Sequence, residues 1–204
     1  DQFPVNQKRS KPLEQSPVQK RLKTDSNTLM AELGLEKVET VGIDFNCLAF
    51  SVLMATGRIG FSLEAQREAA KQANKERRDT HDEIMGKIPG KDNDTKEGPQ
   101  EAWWVGKSKA KLTDIFQRLE FMGEAHVHGF ANRLKRTIIV LDERKPAPLL
   151  IKYSPGYAVQ KQISTREAKE IREQDEQPVW LLMSPGHWSA LIPRDMGVEE
   201  LSDG

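Results

Sequence analysis

Between Cys47 and Ala55 the apolar residues Leu48, Ala49, Val52, Leu53 and Ala55 recur at three- and four-residue intervals, the spacing of one helical face. Gly57 stands where such a helix needs a C-cap. The run Val41-Gly42-Ile43-Asp44-Phe45-Asn46 reads as a turn leading into that helix, which puts Cys47 in its first turn. From Leu63 to about Arg78 the chain is rich in Ala, Gln, Lys and Glu, and a weakly amphipathic helix or exposed arm is predicted. Gly86 to Gln100 reads as a loop longer than compact domains usually carry. After Trp103 and Trp104, Leu112, Ile115, Phe116 and Leu119 mark one helix ended by Gly123, and Val127, Phe130, Ala131 and Leu134 mark a second. The pattern then changes to strands. Thr137 to Leu141 and Leu149 to Tyr153 are short β-branched or apolar runs, and Val179 to Met183 and Trp188 to Ile192 flank Ser184-Pro185-Gly186 as a hairpin. Ser164 and Glu167 have the spacing of a capping box for a short charged helix ending near Gln174. Helices early and strands late predict an α+β domain.

Composition adjusts this picture at the ends. Residues 1–27 hold six basic against three acidic side chains, have no periodicity and read as a disordered basic tail. The start at Asp1 suggests a piece excised from a longer protein. A domain is expected over 28–196, with a variable insertion at about 63–100 and a short C-terminal tail at 197–204. The whole chain of 204 residues balances 31 basic against 31 acidic groups, which leaves no bulk field to hold nucleic acid or an anionic membrane. No apolar run approaches the roughly 18 residues of a membrane-spanning helix, and a monomer without a membrane anchor is expected. One cysteine excludes an internal disulfide and any zinc site built from several cysteines, so no cofactor or metal is expected. His126-x-His128 suggests no third ligand and reads as surface or helix-cap histidines.

A lone cysteine most often packs as a small hydrophobe. At a helix N-terminus, however, it meets roughly half a positive charge, which favours the thiolate. A histidine can complete the activation as base and then as acid. Of the four histidines, His187 lies at the edge of a confident strand, where a rigid backbone can hold an imidazole. The interval from Cys47 is long, as in papain-like enzymes, whose pair meets in space.

The run Gly42-x-Asp44-x-Asn46-Cys47-Leu48 resembles the Gly-Asp-Gly-Asn-Cys-Leu signature of the ovarian tumour (OTU) family of cysteine deubiquitinases. Trp104 before a helix, the Ile-Ile-Val strand and the late His187-Trp188 follow the order of that family, and the resemblance spans roughly Val41 to Pro193. It implies a papain-like fold of the OTU type, a small central, mostly antiparallel sheet flanked by helices. It implies a thiol isopeptidase that removes ubiquitin from proteins or cleaves polyubiquitin through a thioester. Cys47 matches the nucleophile, His187 the general base and acid, and Asp44 the motif aspartate. The backbone from Asp44 to Cys47 matches the oxyanion loop, with Asn46 and Phe45 as its support. Trp188 and Trp104 match aromatics that wall or support the substrate channel. Cytoplasmic action is implied, in a host cytosol for a bacterial effector or viral member.

Two positions depart from the family pattern. Phe45 replaces a glycine, which strains the loop if φ is positive there. Ser189 stands where the family commonly has Asn or Asp; it is a candidate third triad member, but a hydroxyl cannot neutralise an imidazolium as a carboxylate does. Asp44 is the first alternative for that role, and Asp25 or Asn27 from the N-terminal side are others. Glu167, Glu170, Glu173, Asp175 and Glu176 have the sign to steer toward the basic rim of ubiquitin. Competing readings are a papain-like hydrolase or acyltransferase on another substrate, and a catalytically decayed ubiquitin-binding module.

Overall fold

The computed structural model of the protein describes residues 25–87, 122–173 and 178–196. Its centre is a six-stranded sheet formed by β1 (Leu35–Val38), β2 (Ile138–Asp142), β3 (Leu149–Tyr153), β4 (Lys161–Ile163), β5 (Val179–Ser184) and β6 (His187–Pro193). The strands lie in the order β1-β6-β5-β2-β3-β4. β2 and β5 run parallel, and the remaining pairings are antiparallel.

Alternation along β2 and β5 explains the layering. Ile138, Val140, Val179, Leu181 and Met183 face one side, where they pack with Leu48, Phe50, Leu53, Val127 and Phe130. Ile139, Leu141, Trp180 and Leu182 face the other, against Leu29, Leu33, Ile163 and Ala168. Both faces being covered, β2 is buried at every residue, which is why it reads as an unbroken apolar run. On the first face lie helices α2 (Cys47–Ala55), α4 (Ala70–Lys87) and α5 (Glu124–Leu134), with α3 (Leu63–Glu68) leading into α4. On the second face lie α1 (Ser26–Glu32) and α6 (Thr165–Arg172).

Several sequence expectations have direct structural counterparts. α2 spans Cys47–Ala55 and Gly57 follows it with φ +68°, a conformation open to glycine. Ser164 and Glu167 form the reciprocal cap of α6. The hairpin of β5 and β6 turns at Pro185-Gly186, with Ser184 opposite His187.

Other elements differ from expectation. α1 includes Ser26 and Asn27, so the boundary expected at residue 27 falls inside a helix. Asp25 caps α1 by accepting from the Thr28 N–H at 2.7 Å. α4 is no exposed arm. Ala73, Glu76, Arg77, Thr80 and Ile84 are buried on it. Its polar side is locked by Glu76, which takes Arg58 at 2.6 Å and Arg133 of α5 at 2.7 Å. α4 meets α5 at Gly129, where a Cβ would stand 2.6 Å from Thr80 and 2.7 Å from Ile84, so glycine permits the approach. The loop expected from Gly86 begins later, since Gly86 and Lys87 close α4, and its remainder, the expected helix over 112–119, Trp103 and Trp104 lie outside the described residues. No described helix is long and apolar enough to cross a membrane.

Candidate active site

Cys47 opens α2, a helix whose residues from Cys47 to Met54 are all buried, so its N-terminus is delivered to the core side of the sheet. The thiol is 1% exposed. Burial pushes its pKa up, opposed by the backbone N–H groups of Trp188, Leu48 and Cys47 itself and by the charge of Arg77. In the resting state the thiol therefore keeps its proton, and a base is needed to remove it. The contact with the Trp188 N–H also places the sulfur beside the strand that carries His187.

His187 is the first residue of β6, and its side chain is 33% exposed. Its Nε2 lies 3.2 Å from the hydroxyl of Thr40 and 3.6 Å from the carboxylate of Glu39. The Thr40 hydroxyl donates its hydrogen to the Trp188 carbonyl, so toward the imidazole it acts as acceptor. That assigns the hydrogen to Nε2 and leaves Nδ1 with the lone pair of a base. Glu39 would stabilise the ring once it is charged. The Glu39 carboxyl is held below its usual value, first by Lys37, 2.5 Å away, against the opposing effect of burial, with lesser help from Ser189 and His187.

Sheet register explains why Glu39 arrives here. Val38 pairs with Ala190, so one further antiparallel step brings Glu39 to Ser189. Ser189 lies two residues after His187 and shares its face of the strand. Its buried hydroxyl donates to Glu39 Oε2 at 3.2 Å. Ser189 thus reaches the imidazole through a carboxylate. The segment is pinned by Gln66 of α3, fully buried, whose amide accepts from the Val41 N–H at 2.8 Å and donates to the carbonyls of Glu39 at 3.1 Å and Phe61 at 3.0 Å. Sequence reasoning named neither Glu39 nor Gln66. The nearest signal was the notion of an acid from the N-terminal side.

The loop before Cys47 is built differently. Asp44 has φ +52° and ψ +31°, and Phe45 has φ +56°. Two consecutive left-handed residues with side chains cost about 1–3 kcal/mol each. Phe45 does take the backbone that its glycine counterpart would find easy, and its ring is 48% exposed. The N–H groups of Phe45 and Asn46 donate to the carbonyls of Gly42 at 3.2 Å and Ile43 at 3.0 Å. The Asp44 carboxylate accepts from Asn74 of α4 at 3.2 Å, so among the described contacts it serves the loop, while the carboxylate at the imidazole is that of Glu39. Asn46 is 1% exposed and donates to the same Asn74 at 2.6 Å.

Beside His187 runs a cleft of about 440 Å³ lined by residues that include Met122, Glu124, Met183 and Trp188. Trp188 is 2% exposed and donates its indole N–H to the Met122 carbonyl at 2.8 Å, so it forms wall and core together. His126 and His128 are both buried. Nδ1 of His126 accepts from the Gly123 N–H at 3.3 Å, capping α5, while His128 meets Gln160 at 3.1 Å and lies edge-on to Tyr153. Burial, followed by the charges of Arg77 and His81, holds the His126 pKa well below its usual value. No cluster of three metal-ligating side chains occurs among the described residues. Of the acidic residues near α6, Glu167 is engaged by the helix cap and Lys161, and Glu170 by Arg166. Asp175 and Glu176 lie outside the described residues.

No protein-family model and no curated sequence matches the chain. Among solved structures, an OTU deubiquitinase from Wolbachia pipientis wMel is similar at 13% identity and TM-score 0.50, over 79% of this chain and 90% of that one. The structure of an OTU deubiquitinase from the same bacterium bound to ubiquitin is similar with the same identity, TM-score and share of this chain, and 98% of that chain is covered. The viral OTU domain protease from Taggert virus aligns at 16% identity and TM-score 0.49, over 78% of this chain and 80% of that one. At these identities the likeness is one of fold: the chain has the α+β, papain-like fold of OTU deubiquitinases.

Proposed function

We propose that the protein is a thiol isopeptidase acting on ubiquitin linked to proteins or to itself. The observation that carries the reading is the join between Cys47 and β6. The sulfur lies at the N–H of Trp188, and the neighbouring His187 has its Nε2 engaged by Thr40 and Glu39. That arrangement on an OTU fold supports a base at Nδ1 directed to the thiol side.

The steps follow from those positions. His187 Nδ1 takes the Cys47 proton as sulfur attacks the carbonyl carbon of the isopeptide bond, and Glu39 balances the imidazolium that results. The N–H of Cys47 is offered to the developing oxyanion, while those of Phe45 and Asn46 are committed to the turn. The carbon–nitrogen bond breaks as the imidazolium returns its proton to the departing lysine amine, leaving a thioester. Water, deprotonated by His187, then cleaves the carbon–sulfur bond, frees a carboxylate and restores the thiol. The cleft along Trp188 takes one arm of the substrate.

The test is incubation with ubiquitin carrying a C-terminal electrophile, beside the Cys47→Ser variant. A covalent adduct that forms with the native chain and vanishes with the variant is expected; no Cys47-dependent adduct would sink the proposal. The sealed, protonated thiol favours one second reading, a ubiquitin-binding module without turnover. Binding of ubiquitin with no adduct would select it.

A further inference from the structure

We infer that Asn74 is a positioning residue that clamps the strained loop in front of Cys47, so that a side chain from helix α4 sets the geometry of the nucleophile. The inference rests on the reading of Cys47 as the nucleophile.

The observations are three. First, Asp44 and Phe45 are both left-handed, and neither is a glycine. A loop of this kind persists only where its surroundings over-determine it. Second, one amide bridges both sides of Phe45. Asn74 Oδ1 accepts from Asn46 at 2.6 Å, and Asn74 Nδ2 donates to Asp44 at 3.2 Å. The two ends of a single rigid amide thus hold the residue before and the residue after the most strained position. Third, Asn74 is itself held by the framework. Two residues on, Glu76 is buried and ion-paired to Arg58 and Arg133, and Ala73 beside it is fully buried. The helix cannot turn to release the loop without breaking that lock.

The chemical sense of the clamp follows from its place. Asn46 is the N-cap residue of α2, and Cys47 is the next residue. Any relaxation of Asp44 or Phe45 toward ordinary backbone rotates the peptide that leads into Cys47. The sulfur and the N–H offered to the oxyanion would move with it. A misplacement near 1 Å in such a group can cost on the order of 10²-fold in rate.

Glycine in place of Phe45 relieves the larger part of what the clamp opposes, because glycine takes positive φ without a steric cost and Asp44, still left-handed, tolerates that region better than Phe. The experiment is therefore a double-mutant cycle in the full chain with Asn74→Ala, Phe45→Gly and both together. Turnover of a fluorogenic ubiquitin C-terminal amide is followed as kcat and KM, and urea unfolding is followed in parallel. Asn74→Ala should lower kcat about 10- to 100-fold with KM changed less than about threefold. Adding Phe45→Gly should restore most of kcat, and the loss of stability from Asn74→Ala should shrink in the Phe45→Gly background. An unchanged kcat in Asn74→Ala, or additive losses in the double variant, would overturn the clamp. The unfolding cycle reads the same coupling without any turnover. A native chain inert to ubiquitin would defeat the functional reading alone, whereas additive unfolding energies would defeat the clamp alone.

Discussion

The two halves of the candidate dyad are held by opposite means. His187 is placed by sheet register: β6 is hydrogen-bonded between β1 and β5, and its neighbours Thr40, Glu39 and Ser189 arrive as consequences of that pairing. Cys47 sits behind a loop in left-handed backbone, stabilised by one side-chain amide, that of Asn74, from another helix. The regular half tolerates change in single side chains because the backbone ladder persists. The strained half has no ladder to fall back on, so its geometry depends on a few polar contacts. Precision in one case comes from repetition and in the other from a clamp.

Substitutions can push this contrast from either side. On the strand side, Glu39→Gln removes the charge that balances the imidazolium while leaving the shape, and kcat should fall about 10²- to 10³-fold with the melting temperature nearly unchanged. A fall of less than about fivefold, measured with the fluorogenic substrate, would take Glu39 out of the triad role. On the loop side, Gly129→Ala forces a Cβ into Thr80 and Ile84 and should cost about 1–3 kcal/mol in urea unfolding. It should also lower kcat, because displacing α4 displaces Asn74; a stability loss with native kcat would show that α4 does not govern the loop. Thr40→Val removes the acceptor at Nε2 but leaves Glu39, and a decrease of about tenfold in kcat is expected. The smallest effect concerns pH. The Glu39 carboxyl lies below its usual value mainly because of Lys37, so it stays charged as pH falls through the ordinary glutamate range. Replacing Lys37 by Met should move the acidic loss of kcat to higher pH, and a profile that does not move would show that another group sets that limb.

Legibility from the sequence divides along the same line. β2 and β5 announce themselves because both faces of the sheet are covered there and their apolar runs are long, and β3 and β6 follow as shorter apolar runs interrupted by Lys152 and Ser189. The places of Cys47 and His187, each opening a strongly apolar element, were readable for the same reason. β1 was not. It has four residues, two of them exposed and charged, and its partner is at the far end of the chain. Glu39 was hidden with it, since its role depends on a pairing that no local pattern encodes. α4 was legible as a helix and misleading as a surface, because the positions it buries include Glu76, Arg77 and Thr80, whose cost is offset by ion pairs and hydrogen bonds from elsewhere. Polar composition looked like solvent exposure where it was in fact internal bonding. Asn74 shared that disguise.

The pairing of β1 with β6 has a consequence in time as well as in space. Thr40 and His187 meet across a separation of 147 residues, and Glu39 and Ser189 across 150. Contacts of such high order form late, since a long loop must close before any of them rewards the chain. Helix α2 and the hairpin of β5 and β6 can each form on local contacts while the imidazole still lacks its carboxylate. A chain released without β6 would hold a cysteine and no base, and a partly folded chain would hold a histidine and no carboxylate. Assembly of the candidate site therefore comes late in folding, and under the proposed function turnover should lag the recovery of secondary structure during refolding.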